Sequence, residues 1–268
     1  METTNSKVAI CTGAGRGLGR EMALGMERAG YVVAITAAAN KAEIEAVATE
    51  ASSGNIYPFL ADVSDVESCV SLVAEVEAKL GNIDILVNNA GRGMRYVSES
   101  FLSQPTKFWE IEPETWRMII ATNVNGPFYM ASVVVPNMIK RGWGRIINIS
   151  MNHETMRRRG FSPYGPSKAA LESETIIWAQ ELEGTGVTVN ALLPGGASRT
   201  GMIPDGVAEE MRNKLIDPEI MVPPLLWLAS HESNEYSGRR INARLWDSNL
   251  EPVKAMETAS EIAGWMPS

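Results

Sequence analysis

The sequence predicts an α/β fold: a doubly wound parallel sheet with helices on both faces, held in a single domain. Three observations point there. Short apolar runs alternate with longer helical patterns along most of the 268 residues. A glycine-rich turn joins the first apolar run to the first helical one. No linker, repeat or low-complexity tract divides the chain.

The elements follow in order. Val8–Cys11 reads as the first strand, and residues 18–29 as a helix stopped by Gly30. Residues 31–35 give the second strand, 41–51 a helix, 56–60 the third strand and 66–80 a helix stopped by Gly81. The fourth strand is 83–87, followed by a long helix over 115–141, a strand at 145–149 and a helix over 167–182. Strands at 187–193 and 240–243 complete the sheet. Two punctuated stretches, 92–113 and 194–224, each follow a strand and are placed to cover the crevice at the carboxyl edge. The tail, 246–268, shows no chemistry of its own and is left to cover the active site or a neighbouring subunit.

Composition narrows the function. A net charge of -8 argues against nucleic acid, which demands a basic face. The one basic run, Arg157-Arg158-Arg159, reads either as a solvated loop or subunit contact, or as an anion clamp. Cys11 and Cys69 lie in apolar patterns and read as core residues rather than a disulfide. The first six residues carry no apolar leader, and nowhere do eighteen apolar residues run together, so a cytoplasmic protein without a membrane span is expected. His153 has no companions at metal-ligand spacing, so no metal site is expected.

Directly after the first strand stands Thr12-Gly13-Ala14-Gly15-Arg16-Gly17-Leu18-Gly19. Glycine permits a tight turn and close backbone approach, and the helix that follows offers free N–H groups to a pyrophosphate. The spacing is T-G-x-x-x-G-x-G, with Leu18 where the general dinucleotide fingerprint has glycine. It resembles the short-chain dehydrogenase/reductase family, whose motifs recur in order over about residues 7–243: Asp62-Val63, Asn88-Asn89-Ala90-Gly91, Asn123, Tyr164-x-x-x-Lys168 and Pro194-Gly195.

The resemblance implies a Rossmann-like domain with a cofactor half at about 7–150 and a catalytic half at about 151–245. It implies a nicotinamide site formed by Gly13, Gly15, Arg16, Gly17, Leu18, Gly19, Asp62, Val63, Asn89, Ala90, Gly91, Tyr164, Lys168, Pro194, Gly195 and Thr200. Asp62-Val63 would hold the adenine, and Lys168 the nicotinamide ribose. Asn123 would hold a water in the proton relay.

The chemistry also follows from the residues. Tyr164 and Lys168, four apart, share a helical face, and Pro166 suits that helix's first turn. A free phenol titrates too high for acid/base work at neutral pH, and an ammonium one turn away is expected to lower it. Tyr164 then exchanges a proton with a carbonyl or alcohol oxygen while hydride moves to or from the nicotinamide. The family carries a serine thirteen residues before the tyrosine to orient that oxygen; here the position is Met151. Ser150 or Asn152 is expected to take over, with His153 or a water, or a site without this orienting group, as alternatives. Met94, Phe101, Phe108, Trp109, Met151 and Met202 are candidate pocket residues for an apolar substrate.

The second strand runs out as Thr36-Ala37-Ala38-Ala39-Asn40 with no acid for a ribose 2′-hydroxyl, and Arg16 is available to a 2′-phosphate. NADP(H) is therefore expected over NAD(H). The expected function is an NAD(P)-dependent alcohol dehydrogenase or carbonyl reductase acting on a small molecule. Met151 also motivates redox-neutral chemistry, and a cofactor-binding regulator is a third reading. Apolar Ile176-Ile177-Trp178 and the long helices imply a homodimer or homotetramer.

Overall fold

The computed structural model describes residues 6–264. Residues 1–5, in which no leader was read, and residues 265–268 of the tail lie outside the described residues.

Eight strands form one sheet in the order β3-β2-β1-β4-β5-β6-β7-β8. The first half of the chain contributes β1 (Val8–Cys11), α1 (Gly17–Arg28), β2 (Val32–Ala37), α2 (Lys41–Glu50), β3 (Ile56–Leu60), α3 (Val66–Leu80) and β4 (Ile83–Asn88). Next come α4 (Pro113–Ile120), α5 (Gly126–Arg141), β5 (Gly144–Ile149), a short α6 (His153–Met156), α7 (Tyr164–Glu181) and β6 (Val187–Leu193). The chain continues through α8 (Glu209–Arg212), α9 (Val222–Leu228), β7 (Arg239–Asn242), α10 (Pro252–Ala259) and β8 (Ser260–Ile262). β1 to β7 run parallel, and β8 is antiparallel to β7.

Alternate residues of the central strands feed two cores. Ala9 and Cys11 face α1, α2 and α9, packing with Met22, Met26, Ile44 and Leu225. Val8 and Ile10 face α3 and α5, packing with Leu72, Val76, Met130 and Val134. Burial on both faces is why β1 is uniformly apolar. Cys11 and Cys69 are free and buried, with their thiols pushed up to about 12 and about 11 by burial, so they act as core hydrophobes.

Two expectations are corrected. The helix read as unbroken over 115–141 carries a π turn at Ala121–Asn125 between α4 and α5. Such turns widen a helix by one residue and re-aim its side chains. By length and composition the 29-residue run 113–141 is apolar enough to cross a membrane, but Met130, Val134 and Met138 are spent on the core. The described part of the tail, to residue 264, does not line the crevice: α10 packs Ala255, Met256 and Ala259 inward, and β8 extends the sheet beyond β7.

Candidate active site

The strand order reverses between β1 and β4, so the chains leaving their carboxyl ends diverge and open a crevice there. Thr12 ties the two sides together. Its hydroxyl accepts from the N–H groups of Asn89 (3.1 Å) and Ala90 (3.0 Å), and Asn89 Nδ2 donates to the carbonyls of Thr12 (2.8 Å) and Gly13 (2.9 Å). A further chain runs from Asn88 to Asn148 and on to Thr175, joining β4, β5 and α7 beneath the site.

The glycine turn is shaped for close approach. Gly13 takes φ +63°, and a Cβ there would lie 2.7 Å from Ala90 Cα; a Cβ at Gly19 would lie 2.3 Å from Asn89 Nδ2. α1 begins without a side-chain cap and without an acid in its first turn, so its N–H groups face the crevice unsatisfied by the protein. A pyrophosphate fits that cradle in charge and in space. The crevice, about 980 Å³, is lined by Gly13, Gly15, Arg16, Gly17, Leu18, Gly19, Asp62, Val63, Asn89, Ala90, Gly91, Tyr164, Lys168, Pro194 and Thr200. Gly195 is absent from that lining; it turns the chain at φ +83°, where a Cβ would strike the Asn242 side chain. Both covering stretches contribute, but only through residues 92–102 and 194–203.

Tyr164 opens α7 half-buried, with Lys168 one turn on and buried. Lys168 Nζ donates to the Ile149 carbonyl at 2.7 Å. The expected lowering of the phenol is not found. Burial dominates, pushing Tyr164 up to about 12 and Lys168 down to about 8, the latter opposed by the nearby Glu172 and Glu174. Tyr164 is thus protonated at neutral pH. Asn123, buried within the π turn, is placed by it against Arg92: its Oδ1 accepts from the Arg92 N–H (2.8 Å), and its Nδ2 donates to the Arg92 carbonyl (2.9 Å) and to Ser167 Oγ (3.0 Å). Its carboxamide therefore braces the chain after β4 and does not line the crevice.

The substitute for the missing serine is narrowed. Ser150 lines the crevice with Tyr164, and its Oγ donates to buried Glu172 at 2.5 Å. Glu172 also accepts from Arg240 Nε (3.2 Å), and Arg240 Nη2 donates to the Met151 carbonyl (2.9 Å). The hydroxyl hydrogen of Ser150 is thus engaged by Glu172, while its side chain still borders the crevice. Asn152 lines the crevice, and its buried Oδ1 has no partner among the described residues. Met151 packs with Met94, Phe101, Met156 and Phe161 against Tyr164, giving the site an apolar wall. Met202 also lines the crevice, whereas Phe108 and Trp109 are exposed and stack edge-on with each other outside it.

Sequence reasoning missed several lining residues. Thr36 hydrogen-bonds the Gly13 N–H at 3.2 Å, and Glu43 lies 3.7 Å from Arg16 at the outer end of the crevice. Arg92, Arg95 and Arg158 line it too, Arg95 donating to the Gly201 carbonyl at 3.2 Å. Only the arginine run gave any prior signal.

The chain belongs to the short-chain dehydrogenase family, whose model (short chain dehydrogenase) matches residues 7–210. It is accordingly an NAD(P)-dependent oxidoreductase acting on CH–OH and keto groups. It is 35% identical over 246 residues to acetoacetyl-CoA reductase of Rhizobium meliloti, covering 89% of this chain and 97% of that one. It is 31% identical to a 3-oxoacyl-(acyl-carrier-protein) reductase of Thermotoga maritima, covering 88% and 95%. Among solved structures, a variant actinorhodin polyketide ketoreductase with NADPH superposes with a TM-score of 0.78 at 27% identity, covering 90% and 97%. These findings do not favour the redox-neutral and regulatory readings.

Proposed function

We propose that the protein reduces a ketone to an alcohol with NADPH, with Tyr164 as proton donor. One observation carries this reading. A phenol, protonated at neutral pH, stands one turn from Lys168 in the crevice that also holds the glycine turn. When bound, the nicotinamide supplies the hydride. Tyr164 gives its proton to the substrate oxygen, and the Lys168 ammonium stabilises the phenolate left behind. The apolar wall around Met151 excludes water from that exchange. We assign orientation of the substrate oxygen to Asn152, which lines the crevice and whose Nδ2 can donate to a ketone oxygen.

The names of the relatives place 3-oxoacyl thioesters at the head of a substrate panel. NADPH is supported by Arg16 and by Ala37, Ala38, Ala39 and Asn40, a stretch without a carboxylate where a 2′-phosphate would stand. Residues 7–150 are assigned mainly to the cofactor and 151–245 mainly to catalysis. The halves interleave, since a Cβ on Gly17 would touch Thr200 at 3.0 Å. We further propose a cytoplasmic homo-oligomer without nucleic acid or membrane partners; the free buried cysteines suit a reducing compartment.

The test is NADPH oxidation against a panel of 3-oxoacyl thioesters and ketones. Tyr164→Phe is expected to lower kcat by about a thousandfold while cofactor binding persists. Asn152→Ala is expected to lower kcat/KM by about a hundredfold. Full activity in Tyr164→Phe rules the reading out.

A further inference from the structure

Charge balance singles out the substrate side of the crevice. Two of the four arginines lining the crevice have carboxylate partners: Arg16 pairs with Glu43 at 3.7 Å, and Arg95 pairs with Glu99 at 2.8 Å and with Asp205 at 3.0 Å. Arg92 and Arg158 differ. Both line the crevice with Tyr164, and among the described residues neither guanidinium forms an ion pair or a hydrogen bond. Each lies against an aromatic ring instead, Arg92 over Tyr96 at 5.3 Å and Arg158 over Phe161 at 5.2 Å. Ring contact steadies a guanidinium and leaves its five N–H donors unspent.

The two arrive from separate segments, one after β4 and one after α6, yet enter one crevice. Phe161 belongs to the apolar cluster that packs Met151 against Tyr164, so Arg158 borders the substrate wall itself. Of the run Arg157-Arg158-Arg159, only the middle member lines the crevice. The pyrophosphate cradle is built elsewhere, at the N-terminus of α1. Two unneutralised donors beside an apolar wall, in a chain of net charge -8, match an anionic ligand.

We propose that Arg158 and Arg92 receive an oxyanion carried by the substrate, either a carboxylate on the substrate or a phosphate on its carrier. The inference rests on the carbonyl-reduction reading and adds the charge of the substrate to it. Two guanidinium forks fix one end of the molecule, and the apolar wall holds the stretch leading to the carbonyl at Tyr164.

The experiment measures kcat/KM with NADPH for two matched pairs of probes. One pair is 4-oxopentanoate and its methyl ester; the other is the acetoacetyl thioester of 4′-phosphopantetheine and that of pantetheine. The anionic member of at least one pair is expected to be favoured by about tenfold or more, equivalent to ~1.4 kcal/mol. That ratio should collapse towards one in Arg158→Gln and Arg92→Gln, through KM, and survive in Arg159→Gln. The pair that responds identifies the source of the oxyanion. No preference in either pair, or a preference indifferent to both substitutions, overturns the proposal. If no probe is reduced, the reductase reading fails separately. The inference is then read from thermal midpoints of the NADP⁺-loaded protein with each probe. An anion-selective rise lost in Arg158→Gln upholds it, and equal rises within both pairs overturn it.

Discussion

Lys168 carries a pH dependence of definite sign. Burial lowers its ammonium to about 8, so the charge that stabilises a Tyr164 phenolate is present below that pH and lost above it. Tyr164, near 12, stays protonated through the same range. kcat for ketone reduction is expected to fall as pH rises through about 8, and a pH profile showing a rise there would contradict the assignment. A second prediction concerns Arg16, which is two-thirds exposed and pairs with Glu43 across 3.7 Å. Exposed pairs of this kind contribute about 0–1 kcal/mol, so a 2′-phosphate displaces Glu43 easily. Glu43→Gln is expected to raise, and Arg16→Leu to lower, the ratio of kcat/KM for NADPH over NADH, measured at fixed ketone. The catalytic pair and the glycine turn were legible in the sequence because their spacing is local. Glu43, Arg92 and Arg158 were not, because only the fold brings them to one crevice. The tyrosine's titration also escaped spacing arguments: four residues of separation put Lys168 on the right face but could not reveal that burial outweighs it.

At the level of elements, α7 does more than present Tyr164. Its inner face carries Glu172, fully buried, which joins Ser150 at the end of β5 to Arg240 on β7. Arg240 also holds the Met151 carbonyl and pairs with Glu261 on β8. Removing one partner of a buried ion pair strands the other, at a cost of roughly 3–5 kcal/mol. Arg240→Met should therefore lower the urea midpoint of unfolding markedly, and Arg240→Met with Glu172→Leu should recover much of the loss. An unchanged midpoint in the single variant would show that the pair is not holding the turn. Strand patterning located β1, β3 and β6 to the residue, β1 as an unbroken apolar run buried on both faces and β3 as a half-buried edge strand. The π turn around Asn123 had no such signature. It is fixed by the Arg92 backbone, a partner thirty-one residues away.

For the molecule as a whole, exposed apolar side chains are spread over the surface, and a few stand on the long helices. Trp116 on α4, Phe128 on α5 and Ile177 on α7 are exposed. A protein that leaves such helices bare is expected to cover them with another copy of itself. Light scattering should give a mass at least twice 29.2 kDa, and Ile177→Glu should shift it towards the monomer. A monomer in the unsubstituted protein at micromolar concentration would refute this. Overall topology was readable because alternating strands and helices admit few arrangements. The tail was not, since a three-residue edge strand carries almost no pattern of its own.

That edge strand also gives the molecule a history. Ribosomes deliver chains from the N-terminus, and the nucleotide cradle needs only β1 to β4 and their helices. The Met151 carbonyl, by contrast, is held through Arg240 by a strand made more than a hundred residues later. The glycine turn and the chain after β4 are therefore made well before the catalytic turn is locked. Competence to react comes last, with the arrival of Glu261.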